Sequence, residues 1–430
     1  MLTQLQKMKR PFSILVLFLF ALVSGFGQWD NLVYDDSIYS ENIHSVQFYV
    51  TGLPLTQPIL DLDSRATLEL RFDDLGGDLQ TYYYTFLHCK ADWTPSDLNV
   101  LEFLEGFDEE EIRNPDFSFN TLTEFTHYQL RIPNRDMRWT KSGNYILVVY
   151  DDDKKLVLTR RFLAVEPLVR IEPRLTPPAS AKKFRTHQEI DFKVSFEKLN
   201  VKDPKTEIEA TILQNGRWDS AIKNMSPYFL YDGEVVFDYQ DKISFPAGKE
   251  FRFIDLRSFQ YKAEGVAAID EFTDGYEVTL HIDPIRKYEP YSFIRDINGA
   301  YTVENLHRNI DELESDYSMT LFSLEKSVPY EDAEVYLFGK ITDWKIQEKF
   351  RMNYNERIGG YLLDVMLKQG FYNYAFAVVD NKTKTISLDH TEGNWHQAEN
   401  DYTILIYYHP FGERYDRLVG AFTFNSYLRE

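Results

Sequence analysis

The stretch GNYILVVYDDDKKLVLTRRFLAVE (residues 143–166) decides the fold. Tyr145, Leu147 and Val149 alternate with residues of the opposite face, a DDDK turn reverses the chain, and Leu156, Leu158 and Phe162 return. Alternation with period two marks a half-buried strand, and two such runs joined by a short turn read as a β-hairpin. The same period recurs on either side of it: Val46, Phe48 and Val50, then Leu68, Leu70 and Phe72, then Tyr128, Leu130 and Ile132. Stripes with a helical period are scarce, and only DLNVLEFLEGF (97–107) and EGVAAIDEF (264–272) invite a short helix. Aromatic residues make up 16% of the chain, mostly Tyr and Phe, which suit a pleated and half-buried surface.

Downstream, PRLTPPAS (173–180) reads as a linker, because its prolines cannot join a central strand. A second strand series follows, with Ile190, Phe192, Val194 and Phe196 alternating, then IEATILQNGRWDSA (208–221). Its Asn215-Gly216 pair accepts the positive φ angles of a tight hairpin. GEVVFDYQDK (233–242), KEFRFIDLRS (249–258) and GYEVTLHID (275–283) continue the series, and short strands at such spacing suggest a sandwich. Residues 284–314 are charged and irregular, a crossing segment. A last series runs from 317 to the closing LVGAFTFNSYL (418–428). The expected fold is all-β: tandem immunoglobulin-like β-sandwich domains over 28–168, 169–283 and 315–430.

Residues 1–27 read as a secretory signal peptide: Lys7, Lys9 and Arg10, an apolar run from Phe12 to Val23, then Gly25 and Gly27. The run is about half the roughly 20 residues of a spanning helix. Cleavage after Gly27 leaves 403 residues and, by removing three basic groups, takes the net charge from −21 to −24. No cysteine stands at the cleavage site to carry a lipid, and Cys89 has no second cysteine to pair with. Such an acidic chain repels phosphate backbones and anionic headgroups, so nucleic acid and direct membrane insertion are not expected.

Residue patterns that carry chemistry are nearly absent from the sequence. His88, Cys89 and Asp92 are near in sequence, but neighbouring strand residues point to opposite faces, so a buried structural cysteine is the expectation. Asp73-Asp74, Asp151 to Asp153 and Asp401 lack the spacing of a calcium loop and are expected to be solvated turns. There is no HExxH motif, no nucleophile elbow and no phosphate-cradling glycine loop. No enzyme activity, metal or cofactor is expected.

VYLFGKITDWK (335–345), followed by the aromatic hairpin GGYLLDVMLKQGFYNYAFAVVD (359–380), resembles the early-set sandwich modules that bind glycogen. A glycan-binding role for the last domain is therefore the alternative reading; it requires Trp344, and with it Trp395, to display flat faces. The competing expectation is that Trp344 packs beneath a turn. An outer-membrane barrel is disfavoured because charges interrupt the strands and proline-rich linkers divide them.

Over nearly the whole chain, YYYTFLHCKADWTPSDLNVLEFLEGF (82–107), IRNPDFSFNTLTEFTHYQLRIPN (112–134) and EGNWHQAENDYTILIYYHPFGERYDRLVG (392–420) resemble the type IX secretion system plug proteins of Bacteroidetes. That resemblance implies a periplasmic protein, peripherally associated with the outer membrane, that docks on the giant translocon β-barrel and occludes its periplasmic opening. Loops at sandwich ends carry function. The expected docking surface is therefore Asp92, Trp93, Thr94 and Pro95 with Asn114, Phe117, Phe119 and Asn120, the competing expectation being that these residues brace the first domain.

Overall fold

A computed structural model describes residues 29–308 and 310–427; the expected signal peptide lies outside the described residues. The structure is nearly all β. The hairpin of residues 143–166 forms as read: Gly143–Asp151 pairs antiparallel with Leu156–Val165, placing Tyr145 opposite Phe162, and a register shift follows Val149. Strand Tyr82–Cys89 lies along the other edge of Gly143–Asp151. A second sheet, Ile43–Val50, Leu68–Asp74, Thr126–Ile132 and Asp116–Phe117, supplies the facing layer. Phe48, Leu70, Phe72, Tyr84, Phe86, Tyr145 and Phe162 meet between the layers, with the Tyr145 and Phe162 rings stacked at 5.0 Å. Burying each large side chain of this kind stabilises the fold by about 1.5–3 kcal/mol.

The middle sandwich packs the sheet of Arg170–Thr176, His187–Ser195, Glu234–Phe237 and Phe229–Tyr231 against that of Arg217–Met225, Ile208–Gln214, Asp401–Tyr408 and Arg417–Asn425. Asn215 and Gly216 have φ of +53° and +67°, as their tight hairpin requires. The last sandwich pairs Gly370–Asp380 with Arg252–Asp255, Tyr301–Val303 and Ala333–Phe338. Its other layer is Val266–Glu271, Tyr276–Leu280, Tyr317–Glu325, Gly360–Lys368 and Asn353–Asn355.

Strand pairing thus crosses the boundaries read from sequence. Arg252–Asp255 and Tyr276–Leu280, read as continuing the second domain, belong to the last sandwich, and Asp401–Tyr408, read as part of the last, pairs with Ile208–Gln214. The chain leaves the middle sandwich, builds the last, and returns to complete the middle. Alternation shows that a run will pair but not with which partner. EGVAAIDEF likewise forms strand Val266–Glu271, hairpinned to Tyr276–Leu280. In DLNVLEFLEGF the helix is one turn, Val100–Phe103, with Glu102 accepting from the Asn99 N–H at 2.8 Å.

The outer face of the first hairpin is also covered. Ile146 and Val148 are fully buried, and the sheet that covers them comes from the middle sandwich, whose Tyr407 hydroxyl donates to Asn144 Oδ1 at 2.8 Å.

Candidate functional site

The loop after strand Tyr82–Cys89 is held by Asp92, whose carboxylate accepts from the Thr94 N–H (2.9 Å) and hydroxyl (2.6 Å). That turn puts Trp93 at φ +71° and sends its ring inward. The indole meets Trp218 of the middle sandwich edge-on at 4.9 Å and carries the Arg161 guanidinium at 4.4 Å. At 3% exposure it has no face left for a partner, so Trp93 is removed from the expected docking surface. It braces two sandwiches, while Asp92 and Thr94 remain exposed and Pro95 is half-buried.

The second predicted loop divides in the same way. Phe117 (59%) and Phe119 (42%) are displayed, and Asn114 is exposed. Asn120, at φ +59°, donates to Glu314 at 2.9 Å, and the Asp316 carboxylate accepts from the Leu122 and Thr123 N–H groups. The loop is therefore fastened to the last sandwich just beside its exposed phenylalanines.

Directly under this fastening lies the charged centre that sequence reasoning missed. Asp73 and Asp74, expected in a solvated turn, are buried in strand Leu68–Asp74. Asp73 takes Lys368 Nζ at 2.5 Å, His127 Nδ1 at 2.6 Å and the Tyr317 hydroxyl at 2.6 Å. Both Lys368 and Asp73 are 1% exposed. Lys368 also donates to the Glu312 carbonyl at 2.6 Å and lies 3.9 Å from the Phe125 ring centroid. Burial alone would raise the Asp73 carboxyl, but the Lys368 ammonium and the His127 imidazole outweigh it and hold it below the usual carboxylate range. Burial pulls Lys368 down against the pull of Asp73. We assign the ionised pair at neutral pH, because a carboxylate with three donors is well compensated. The one available signal was the register: the same sheet face pairs Glu69 with Arg131 and Asp73 with His127.

The VYLFGKITDWK segment ends strand Ala333–Phe338 and turns through Gly339 into Asp343 and Trp344, both left-handed at φ +52° and +58°. The Trp344 ring lies 5.7 Å from Phe251 and 5.5 Å from Phe338, with the Arg217 guanidinium at 5.2 Å. Gly299 closes one side: a Cβ there would stand 2.3 Å from Trp344 Cη2. Trp344 is 7% exposed and packs its turn, as the second expectation held. Trp395 is half-buried, its indole nitrogen enclosed.

His88 and Cys89 do point to opposite faces. His88 packs against Phe103 and Tyr145 in the first core, and burial pushes it down to about 4. The Cys89 thiol is pushed up to about 12 by burial, far from a reactive thiolate. No group of three His, Cys, Asp or Glu residues is placed to hold a metal among the described residues. No helix there is long and apolar enough to cross a membrane.

The buried Asp73–Lys368 pair and the Tyr407–Asn144 hydrogen bond join the first sandwich to the other two. Residues 43–166 match the type 9 secretion system plug protein 1st domain. Across 92% of this chain and 100% of the other, the structure is similar to the crystal structure of a hypothetical protein from Parabacteroides merdae ATCC 43184, with 31% identity and a TM-score of 0.88. No curated protein matches the chain. Through residues 43–166 the chain carries the first domain of the type 9 secretion system plug protein family, and that domain points to a role in type IX secretion and to the cell envelope.

Proposed function

We propose that this protein is a periplasmic plug subunit that docks on the outer-membrane translocon β-barrel of the type IX secretion system and occludes its periplasmic opening. The family match of residues 43–166 carries the reading. A single-chain barrel of about 36 strands encloses a water-filled lumen, and such a lumen leaks solutes unless a partner closes it. Closure requires a body that does not yield, and the buried contacts joining the first sandwich to the other two supply that stiffness. Reversible closure favours a moderately polar interface over a large apolar one. Phe117 and Phe119, flanked by Asn114 and the tethered Asn120, have that character and are the docking surface we propose, with Asp92 and Thr94 as its second loop.

The test is affinity purification of the protein from outer membranes. Recovery of the barrel supports the reading, and its absence from a stable complex rejects the function. A Phe117→Asp/Phe119→Asp variant with an unchanged melting profile should lose the barrel; if it still co-purifies, the surface is elsewhere.

A further inference from the structure

Where the chain passes from the middle sandwich to the last and back, a cavity of about 240 Å³ opens between them. It is lined by the Asn215-Gly216 hairpin flanks, by residues 246–249, and by residues 386–389 and 393–394 of the returning segment. We propose that this cavity binds a small polyhydroxylated carboxylate, one six-membered ring in size. An apolar cavity of about 150 Å³ holds benzene, so this volume suits one ring with its substituents.

The wall has unspent polar capacity of several kinds. The Lys249 side chain is 6% exposed, yet the oxygens within reach of its ammonium, the Arg286 carbonyl and a Glu289 carboxylate oxygen, both stand at 3.5 Å. That is the far limit of a hydrogen bond, and an ammonium has three N–H donors to place. Glu289 is itself 50% exposed, so its screening of the lysine is weak. Ser220 Oγ is buried with no hydrogen-bond partner among the described residues. Gln214 spends its NH₂ on the Pro246 carbonyl (2.9 Å) and the Tyr402 hydroxyl (3.2 Å), which leaves its oxygen to accept. Asn394 spends its oxygen on the Gly248 N–H (2.8 Å), which leaves its NH₂ to donate. Phe251 adds an apolar wall.

These groups select the ligand class. A buried ammonium whose ion pair with Glu289 is long, at 3.5 Å, has donor capacity left for a second anion. A carboxylate offers it a short charge-assisted bond. An acceptor, a donor and a hydroxyl around the same space match ring hydroxyls, which both give and take hydrogen bonds. A neutral sugar leaves Lys249 unmatched, and a bare inorganic anion leaves Gln214 and Asn394 unmatched. The other cation of the wall, Arg217, is already engaged by Asp219 at 3.1 and 2.7 Å. The wall's one acidic side chain, Asp389, lies 3.5 Å from Lys287.

Calorimetric titration of the whole protein with D-glucuronate, D-glucose and sulfate tests the proposal. Glucuronate should bind with a dissociation constant of about 1 mM, at least tenfold tighter than either other probe. Lys249→Met, with an unchanged melting profile, should weaken glucuronate at least tenfold, and so should Asn394→Ala, which stands in if the first variant fails to fold. Glucose or sulfate binding as tightly as glucuronate overturns the proposal. So does the absence of glucuronate binding at about 10 mM ligand, or unweakened binding by a folded variant.

Discussion

Replacing Lys368 by methionine nearly keeps the side chain's volume and deletes its charge. The ammonium removed is 1% exposed, 2.5 Å from Asp73 and 2.6 Å from the Glu312 carbonyl. Asp73 stays behind, equally buried, with His127 and Tyr317 still donating to it. Removing one partner of a buried ion pair costs about 3–5 kcal/mol, because the other charge is stranded. Two surviving hydrogen bonds put the cost at the lower end, about 3 kcal/mol. At about 2–4 °C per kcal/mol for a large domain, melting should fall by about 6–12 °C. The double variant Asp73→Asn/Lys368→Met strands no charge and should recover most of that loss, giving a coupling of about 2 kcal/mol. Acidification adds a second reading. Because the folded Asp73 carboxyl sits below its ordinary value of 3.8, its stabilisation is present above that pH and disappears as pH falls through the folded value. The Lys368→Met variant should therefore lose less on acidification than the wild type. The assay is thermal and urea unfolding followed by circular dichroism at pH 7.5 and across the acid limb. A single variant losing less than about 1 kcal/mol, or a double variant as unstable as the sum of the singles, would refute the reading of this ionised pair as a lock between the first and last sandwiches.

Three further outcomes follow from burial and geometry. Asp296 is pushed up to about 6, by burial first and then by Glu399 and Glu250, so the folded state holds its proton more tightly than the unfolded chain does. Stability should therefore fall by up to about 3 kcal/mol as pH rises from the ordinary carboxylate range past 6, and Asp296→Asn should flatten that slope in melting temperatures measured from pH 4 to 8. Gly299→Ala sets a Cβ 2.3 Å from Trp344 Cη2 at a residue with φ +77°; unfolding should show a loss of at least about 2 kcal/mol, with a shift in tryptophan emission. Cys89, fully buried, should resist a thiol reagent at pH 8 in the folded protein and react at one equivalent on denaturation.

Local pairing was readable because it is written in period two and in turn chemistry. Tyr145, Leu147 and Val149 face the first core, and Asn215-Gly216 makes the turn its φ angles demand. The partners of Asp401–Tyr408 were not readable, because an alternating strand carries no address. Asp73 was misread for a related reason. On one sheet face Glu69, Arg71 and Asp73 follow the pattern of a solvated surface, and only the arrival of Lys368 and Tyr317 from residues far downstream makes that face an interior. Trp93 followed the opposite course. Its Asp-Trp-Thr-Pro setting reads as a displayed loop, while the left-handed turn that Asp92 stabilises rotates the ring into the Trp218 contact.

The same contacts bear on how a plug of this construction would be seated. The segment matched to the plug family begins at residue 43 and ends at 166, so it contains both Asp73, held by the last sandwich, and Asn144, held by the middle one. The loop bearing Phe117 and Phe119 is tied to Asp316 and Glu314, next to the strand that carries Tyr317. A load applied at those phenylalanines therefore passes through the Glu314 and Asp316 contacts and the buried Asp73–Lys368 pair into the last sandwich, and through the Tyr407–Asn144 hydrogen bond into the middle one. Docking at that loop would then place or remove the body whole. On this reasoning a Lys368→Met protein that still folds should bind the barrel through an intact Phe117–Phe119 surface yet close it less completely, as read by ion conductance of the purified complex; full closure would show that the lock contributes nothing to the seal.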